Sequence, residues 1–364
     1  MPEPAPTRRE LWSVIAVITA TGGYFLFFVR GAYLDLLSAE YGAHGLQPAL
    51  AVLALSGALG SGLAVWRFRP QAYRGAVAAG ALACAAAAVA GCLSPSFLTA
   101  AGIGLALGWL SVTLVAGLRA AIGMQALGRT LGTGIGLAYA LGNLPAALSA
   151  SLRTQAGWAV AFLAVVLVAS RSLRTAEAEV SGNDDFRPVR IVSWIGIFLA
   201  LAGLDSAACA VIQHNPALQG EVGGGNLRVL LNATVHLAVA VGAGVWIDRK
   251  RCGRVVLAGW AALAGACLLL DDRMRPFAGA EVLYTPGVSL YAVALVFYAA
   301  RGGRPWLVGV VLAISAGVGA ASGIGLAMDF NRVPMPLVLV ACAVVTGLLL
   351  MRHRGKRLRK PLLL

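Results

Sequence analysis

The sequence is a succession of apolar runs, each long enough to cross a bilayer, separated by short basic or Pro/Gly-rich breaks. A bilayer core needs about 20 residues of helix, and hydrocarbon offers no partner to an unsatisfied backbone group. Spans are placed at about 11–34, 47–66, 74–93, 97–118, 130–150, 157–172, 191–213, 227–247, 254–270, 281–300, 305–327 and 334–351. The composition agrees, with 59% hydrophobic residues, 12% charged residues and a mean hydropathy of +0.81. A soluble multidomain protein is excluded, and the expected class is an all-α membrane protein of twelve transmembrane helices. The basic flank in "TRRELWSVIAV" suits a signal peptide, but the apolar run continues beyond a normal h-region with no clean cleavage motif. It is read as a retained first span.

Basic residues sort by side. With both termini on one face, that face receives 23 of the 29 Lys and Arg, among them Arg8, Arg9, Arg67, Arg129, Arg249 to Arg251 and the tail "RHRGKRLRK". The other receives only Arg30, Arg153, Arg228, Arg273, Arg275 and Arg332. Positive charge marks the cytoplasmic side, so both termini are expected there, in a bacterial inner membrane. The tail is read as a topology anchor touching anionic lipid rather than as a nucleic-acid-binding arm.

One long polar connection, containing "EAEVSGNDDFRP", divides the spans six and six. The expected organisation is a six-helix bundle over 1–172, a linker over 173–190, a second bundle over 191–351 and a basic tail over 352–364. Internal repetition is visible where a duplication requires it. "GSGLAVWRFRPQAYRGAVAAG" after span two parallels "GAGVWIDRKRCGRVVLAGW" after span eight, each with glycines, a Trp, a basic turn and an Ala/Gly-rich helix.

This arrangement resembles the major facilitator superfamily. The most specific piece is "GVWIDRKRCGR", in which Gly244, Asp248, Arg249, Gly253 and Arg254 resemble the family's G-x-x-x-D-R-x-G-R signature, with two extra residues before the second glycine. The first-half copy departs further, because Trp66 stands where the signature has Asp, four residues after Gly62. "GRTLGTGIGLAYALGNLPAAL" resembles the family's fifth helix, with Arg129 at its entry and Pro145 permitting a bend. The resemblance implies two pseudo-symmetric bundles around a central cavity, alternating access, and a cytoplasmic gating loop at the signature residues. The pairs Gly132/Gly136, Gly104/Gly108 and Gly319/Gly323 are read as ordinary helix packing.

Asp205, in "LALAGLDSAACAVI", is the one acidic residue expected near the bilayer centre. A carboxylate there costs roughly 2.5–3.5 kcal/mol on insertion scales, so a partner, water or a proton must compensate. Counting ~1.5 Å per residue, Asp205 lies roughly 20 Å from the cytoplasmic edge, and His236 on the next, antiparallel span reaches a similar depth. The two are expected to form a hydrogen-bonded pair, with Asp205 as a proton-coupling site and His236 as its modulator. A buried polar contact holding the two spans together is the alternative. Asn232 shares a helical face with His236, and Tyr139 shares one with Asn143. Ser289 and Tyr291, with Tyr284, flank an expected Pro286–Gly287 break. With Tyr24 and Arg30, these residues are the expected substrate cavity, although interfacial snorkelling is the preferred reading of Arg30 over a gate or anion-recognising element.

There is no GxxxxGK[ST], HExxH or GxSxG motif and no metal-ligand spacing, and six scattered cysteines read as small core residues. The chain is therefore read as a monomeric secondary transporter rather than an enzyme, without cofactor or metal, whose partners are a small solute, protons and the lipid bilayer. One acid and few bases at depth favour a neutral, amphipathic or cationic solute. The runner-up is a transporter-like subunit or assembly factor that moves nothing.

Overall fold

The computed structural model describes residues 6–148, 150–174, 188–214, 226–270, 278–330 and 332–357. Twelve helical segments follow in order: α1 (Arg8–Gly42), α2 (Gly45–Arg67), α3 (Pro70–Leu93), α4 (Phe97–Ile122), α5 (Met124–Gly142) and α6 (Leu152–Ser170) precede the long connection. After it come α7 (Pro188–His214), α8 (Asn226–Asp248), α9 (Cys252–Leu269), α10 (Ala278–Arg301), α11 (Pro305–Phe330) and α12 (Met335–Arg357). Among the described residues ten helices are long and apolar enough to cross a membrane; α5 and α12 are shorter or less apolar. The protein is a multi-pass membrane protein. Most of the connection and the last residues of the tail lie outside the described residues.

Local chemistry sets the boundaries. Thr7 caps α1 in a reciprocal capping box with Glu10, Ser96 does the same for α4 with Thr99, and Ser151 caps α6 through the Thr154 N–H. Gly123 and Gly303 adopt φ of 70° and 57° in the turns after α4 and α10. Those are equivalent places in the two sets of six helices, and each requires the left-handed conformation that glycine tolerates. At Gly42 (φ 67°) the chain breaks between α1 and α2.

Three expectations change. The first span runs to Gly42 rather than ending near residue 34, so Arg30 is not at its end. At Asn143 the fifth span stops instead of bending, and Pro145 opens a separate four-residue turn, Pro145–Leu148. Across Pro286 and Gly287, α10 runs on as one helix; Gly287 faces the Leu263 backbone, so its small size serves packing against α9.

The outward surface is apolar, carrying Leu55, Leu59, Leu82, Leu98 and Leu230, as a helix bundle solvated by lipid requires. Inside, buried tyrosine and tryptophan tips end on backbone carbonyls: Tyr73 on Leu114 (3.1 Å), Tyr33 on Ser96 (3.1 Å) and Trp109 on Ala76 (3.2 Å). Lipid supplies no hydrophobic drive between helices, so close approach depends on small residues. Gly104 and Gly108 of α4 meet the α2 backbone at Leu53 and Gly57, and Gly319 and Gly323 of α11 meet α7 at Leu199 and Gly203. A Cβ at Gly108 would collide with the Gly57 carbonyl, which cannot move independently of its helix. Gly108→Val should cost about 1–3 kcal/mol by overpacking. The check is a lower melting temperature in detergent, with Gly102→Val, which faces only the Ala87 methyl, as the tolerated control.

Candidate functional site

The helices α5 and α8, one from each set of six, run antiparallel along a seam with a four-residue rhythm. Asp248 meets Gly128, Gly244 meets Gly128 and Gly132, Ala240 meets Gly132 and Gly136, and His236 meets Tyr139. The Gly132/Gly136 pair thus lies between the two sets rather than within one. At the basic end Asp248 accepts from the Gly128 N–H (2.7 Å), the Arg129 N–H (3.0 Å) and Arg129 Nε (3.1 Å). A carboxylate near the start of α5 is placed where the helix dipole favours it. Arg119 of α4 donates to the Arg301 carbonyl of α10 (2.5 Å), and Gly309 of α11 packs on Val65 of α2. The seam is closed at this end.

The signature residues divide. Gly244 and Asp248 build the seam, whereas Arg249, Gly253 and Arg254 are exposed on the basic face. Lys250 takes a left-handed φ of 61° in the turn that holds the two extra residues. In the first-half copy Trp66 is exposed, with the Arg67 guanidinium 4.6 Å over its ring. No carboxylate occupies that place, so among the described residues the latch is seen only at Asp248.

At the far end of the seam lies a buried polar cluster. Asp205 of α7 is 4% exposed and accepts from both Tyr284 (2.7 Å) and Tyr291 (2.5 Å) of α10, one on each carboxylate oxygen. These two tyrosines are two turns apart on one face. His236 is equally buried; its Nδ1 is 2.8 Å from Ser289 Oγ, and its ring stacks on Tyr139 at 4.9 Å and 9°. Because Ser289 Oγ donates to the Thr285 carbonyl (3.1 Å), the Nδ1–H of His236 is the donor to Ser289. The expected direct Asp205–His236 bond does not form. Both residues dock on α10 instead, because that helix lies between them and carries a hydroxyl for each.

Arg30 joins this cluster from α1. It sits in a π-helical stretch, Phe25–Ala32, of a kind often found at functional sites. It lies against Cys209 and within electrostatic reach of Asp205, Tyr284, Tyr139 and His236. Its surroundings are this cluster rather than the end of a helix. Arg30, Tyr139 and Tyr284 keep accessible surface, whereas Asp205, His236, Ser289 and Tyr291 are shut away.

Three expected cavity residues lie elsewhere. Tyr24 is fully buried among the first six helices, donating to the Cys84 carbonyl and stacking on Phe28, where it fills core. Asn143 donates to the Tyr139 carbonyl (2.9 Å) and finishes α5. Asn232 and Arg228 of α8 both bind Glu281 of α10, tying those helices together near their outer ends. Glu281 reads in sequence as a residue at a span end, yet it is buried; the three-residue set is visible only once α8 and α10 are adjacent. Among the described residues there is no group of three or more His, Cys, Asp or Glu placed to hold a metal ion.

The chain has the major facilitator fold. It superposes on the human organic anion transporter MFSD10 (TETRAN) with a TM-score of 0.60 at 16% identity, covering 96% of this chain and 99% of that one. On a bacterial homologue of the iron transporter ferroportin the TM-score is 0.62 at 14% identity, covering 94% and 97%. No family model matches the sequence, and no curated protein matches it.

Replacing Asp248 by Asn keeps the shape but removes the charge that gathers two N–H groups and a guanidinium. With spin labels at the exposed positions Gln125 and Arg251, in a background free of other cysteines, Asp248→Asn should broaden and lengthen the distance distribution across the seam. An unchanged distribution means that the glycine contacts alone keep it shut.

Proposed function

We propose that the protein is a secondary active transporter that couples movement of a small solute to protons by alternating access, with Asp205 as the proton-carrying group. The observation that carries this reading is the buried carboxylate itself. Asp205 lies in the membrane interior, held by two hydroxyls and near Arg30 of the other set of helices. Ionisable groups at such depth are costly and typically line ion or substrate pathways. Tyrosine hydroxyls suit a group that changes charge, since each can donate to a carboxylate or accept from a carboxylic acid.

The seam supports the same reading. Its stabilising contacts at the basic end are one carboxylate latch, one guanidinium–carbonyl bond and backbone packing at glycines. Separation of the two sets of helices at this end would break these contacts first. The Tyr139–His236 stack spans the seam and would part with it. Transport is also what the two structural neighbours do, as an organic anion transporter and a homologue of an iron transporter. The basic-residue bias orients both termini toward the cytoplasm of a bacterial inner membrane. His236 modulates the site through α10, and the protein works as a monomer. A non-transporting subunit is the second reading, favoured only by the missing first-half latch at Trp66.

Proteoliposomes loaded with a pH-sensitive dye test the proposal. At least one member of a panel of anionic, neutral and cationic solutes should move protons in with it, and Asp205→Asn should abolish that movement while solute exchange persists. Proton movement retained in Asp205→Asn removes the coupling role; no solute-driven flux in the wild type favours the second reading.

A further inference from the structure

We infer that Arg30 binds the anionic group of the transported solute, and that this anion crosses together with the proton on Asp205 as an electroneutral pair. The inference rests on the proton-coupled reading above and adds the substrate class. It departs from the expectation of a neutral, amphipathic or cationic solute, which followed from counting one acid and few bases in the membrane and stood against a multiply charged anion.

Three observations carry it. First, Arg30 of α1 lies against Cys209 of α7 and within electrostatic reach of Asp205, Tyr284 and Tyr139, inside the helix rather than at its end. A guanidinium is not deprotonated in proteins, so a fixed positive charge stands in a low-dielectric region. Second, no salt bridge joins Arg30 to Asp205 among the described residues; the carboxylate spends both oxygens on Tyr284 and Tyr291. Arg30 thus has a counter-charge nearby but no carboxylate in its fork, and a fork of this kind recognises carboxylate, sulfonate or phosphate oxygens. Third, Arg30, Tyr139 and Tyr284, drawn from three helices of both sets, are only partly buried, whereas Asp205 and Tyr291 are shut away. A planar or amphipathic body attached to the anion could rest there against the Tyr139 ring.

Charge balance then supplies the coupling. With Asp205 ionised and no solute, Arg30 and Asp205 sum to zero. With Asp205 protonated and a monovalent anion on Arg30, the sum is again zero. The two mixed states carry a net charge that the membrane interior penalises. Binding of the anion and of the proton therefore assist each other, and the halves rearrange with both or neither. The other groups around Asp205 do not upset this balance. Helix α10 presents the two tyrosines, α9 presents Cys267 with Cys342 of α12 behind it, and α7 adds Cys209. Tyr139 comes from α5, and His236 of α8 senses Arg30. The only ionisable residue of α11 among those described is Asp329, which accepts from Gln47 of α2.

The test uses the full chain, purified in detergent, with saturable binding read by a thermal shift at pH 5.5 and 7.5. Benzenesulfonate and gluconate, anionic at both pH values, are compared with benzenesulfonamide, glucose and benzyltrimethylammonium. An anion should bind about tenfold more tightly at pH 5.5, within the usual range for coupled sites, and the neutral and cationic probes should not bind. Asp205→Asn should bind the anion with no pH dependence. Arg30→Gln should lose binding, and Arg30→Lys, which keeps the charge without the fork, should bind more weakly while remaining anion-selective and monodisperse. Absence of anion binding to the wild type, preference for a neutral or cationic probe, or full binding by Arg30→Gln overturns the assignment. Anion binding that stays pH-dependent in Asp205→Asn leaves Arg30 as the anion site and instead removes Asp205 as the proton carrier.

Discussion

Two helices on either side of the long central connection, α5 and α8, touch backbone to backbone because glycines and an alanine stand between them. Gly128, Gly132 and Gly136 of α5 face Gly244 and Ala240 of α8, and the rest of the arrangement depends on that approach. In lipid, apolar side chains gain little by leaving their solvent for a helix interface, so close van der Waals contact and short polar bonds must hold helices together. The glycine ladder supplies the first. It also brings Asp248 within reach of two α5 amides at one end and stacks Tyr139 on His236 at the other. A larger side chain in the ladder would therefore disturb the latch and the buried site together.

Much of the architecture was legible in the sequence because membrane insertion imposes length and charge rules that act one segment at a time. All twelve spans were recognisable, and Asp205 stood out because a lone acid in an apolar run has no cheap explanation. The partners of that acid were not legible. They lie on α10, and Tyr284 alone reads as an interfacial aromatic; only the i, i+7 spacing to Tyr291 hinted at a shared face. Arg30 was misplaced for a different reason. Ending the first span near residue 34 puts Arg30 about one turn from the outer interface, whereas the helix continues to Gly42 and sets the arginine against Cys209. Hydropathy measures what a segment is made of and says nothing of which residues face a polar interior.

The turns after α2 and after α8, which resemble each other in sequence, are fastened differently. Around α8, Asp248 is only 11% exposed and holds the start of α5. At the corresponding place after α2, the chain carries Trp66, which is 72% exposed and offers α11 no charge. That contact relies instead on Val65 packing over Gly309. One flank of the closed end is thus fastened by charge and the other by shape. Screening and protonation act on the first and leave the second unaffected.

The same division of labour runs through the buried cluster. Hydroxyls, not a cation, hold the Asp205 carboxylate, and that choice has consequences. A carboxylate locked in a bidentate salt bridge resists protonation, because its partner cannot give up its charge. Tyr284 and Tyr291 each donate to the carboxylate, and a hydroxyl can also accept from a carboxylic acid. Arg30 stays close enough to sense the carboxylate charge without satisfying it. The proposed proton-carrying role needs partners that serve both charge states, which hydroxyls do and a guanidinium does not.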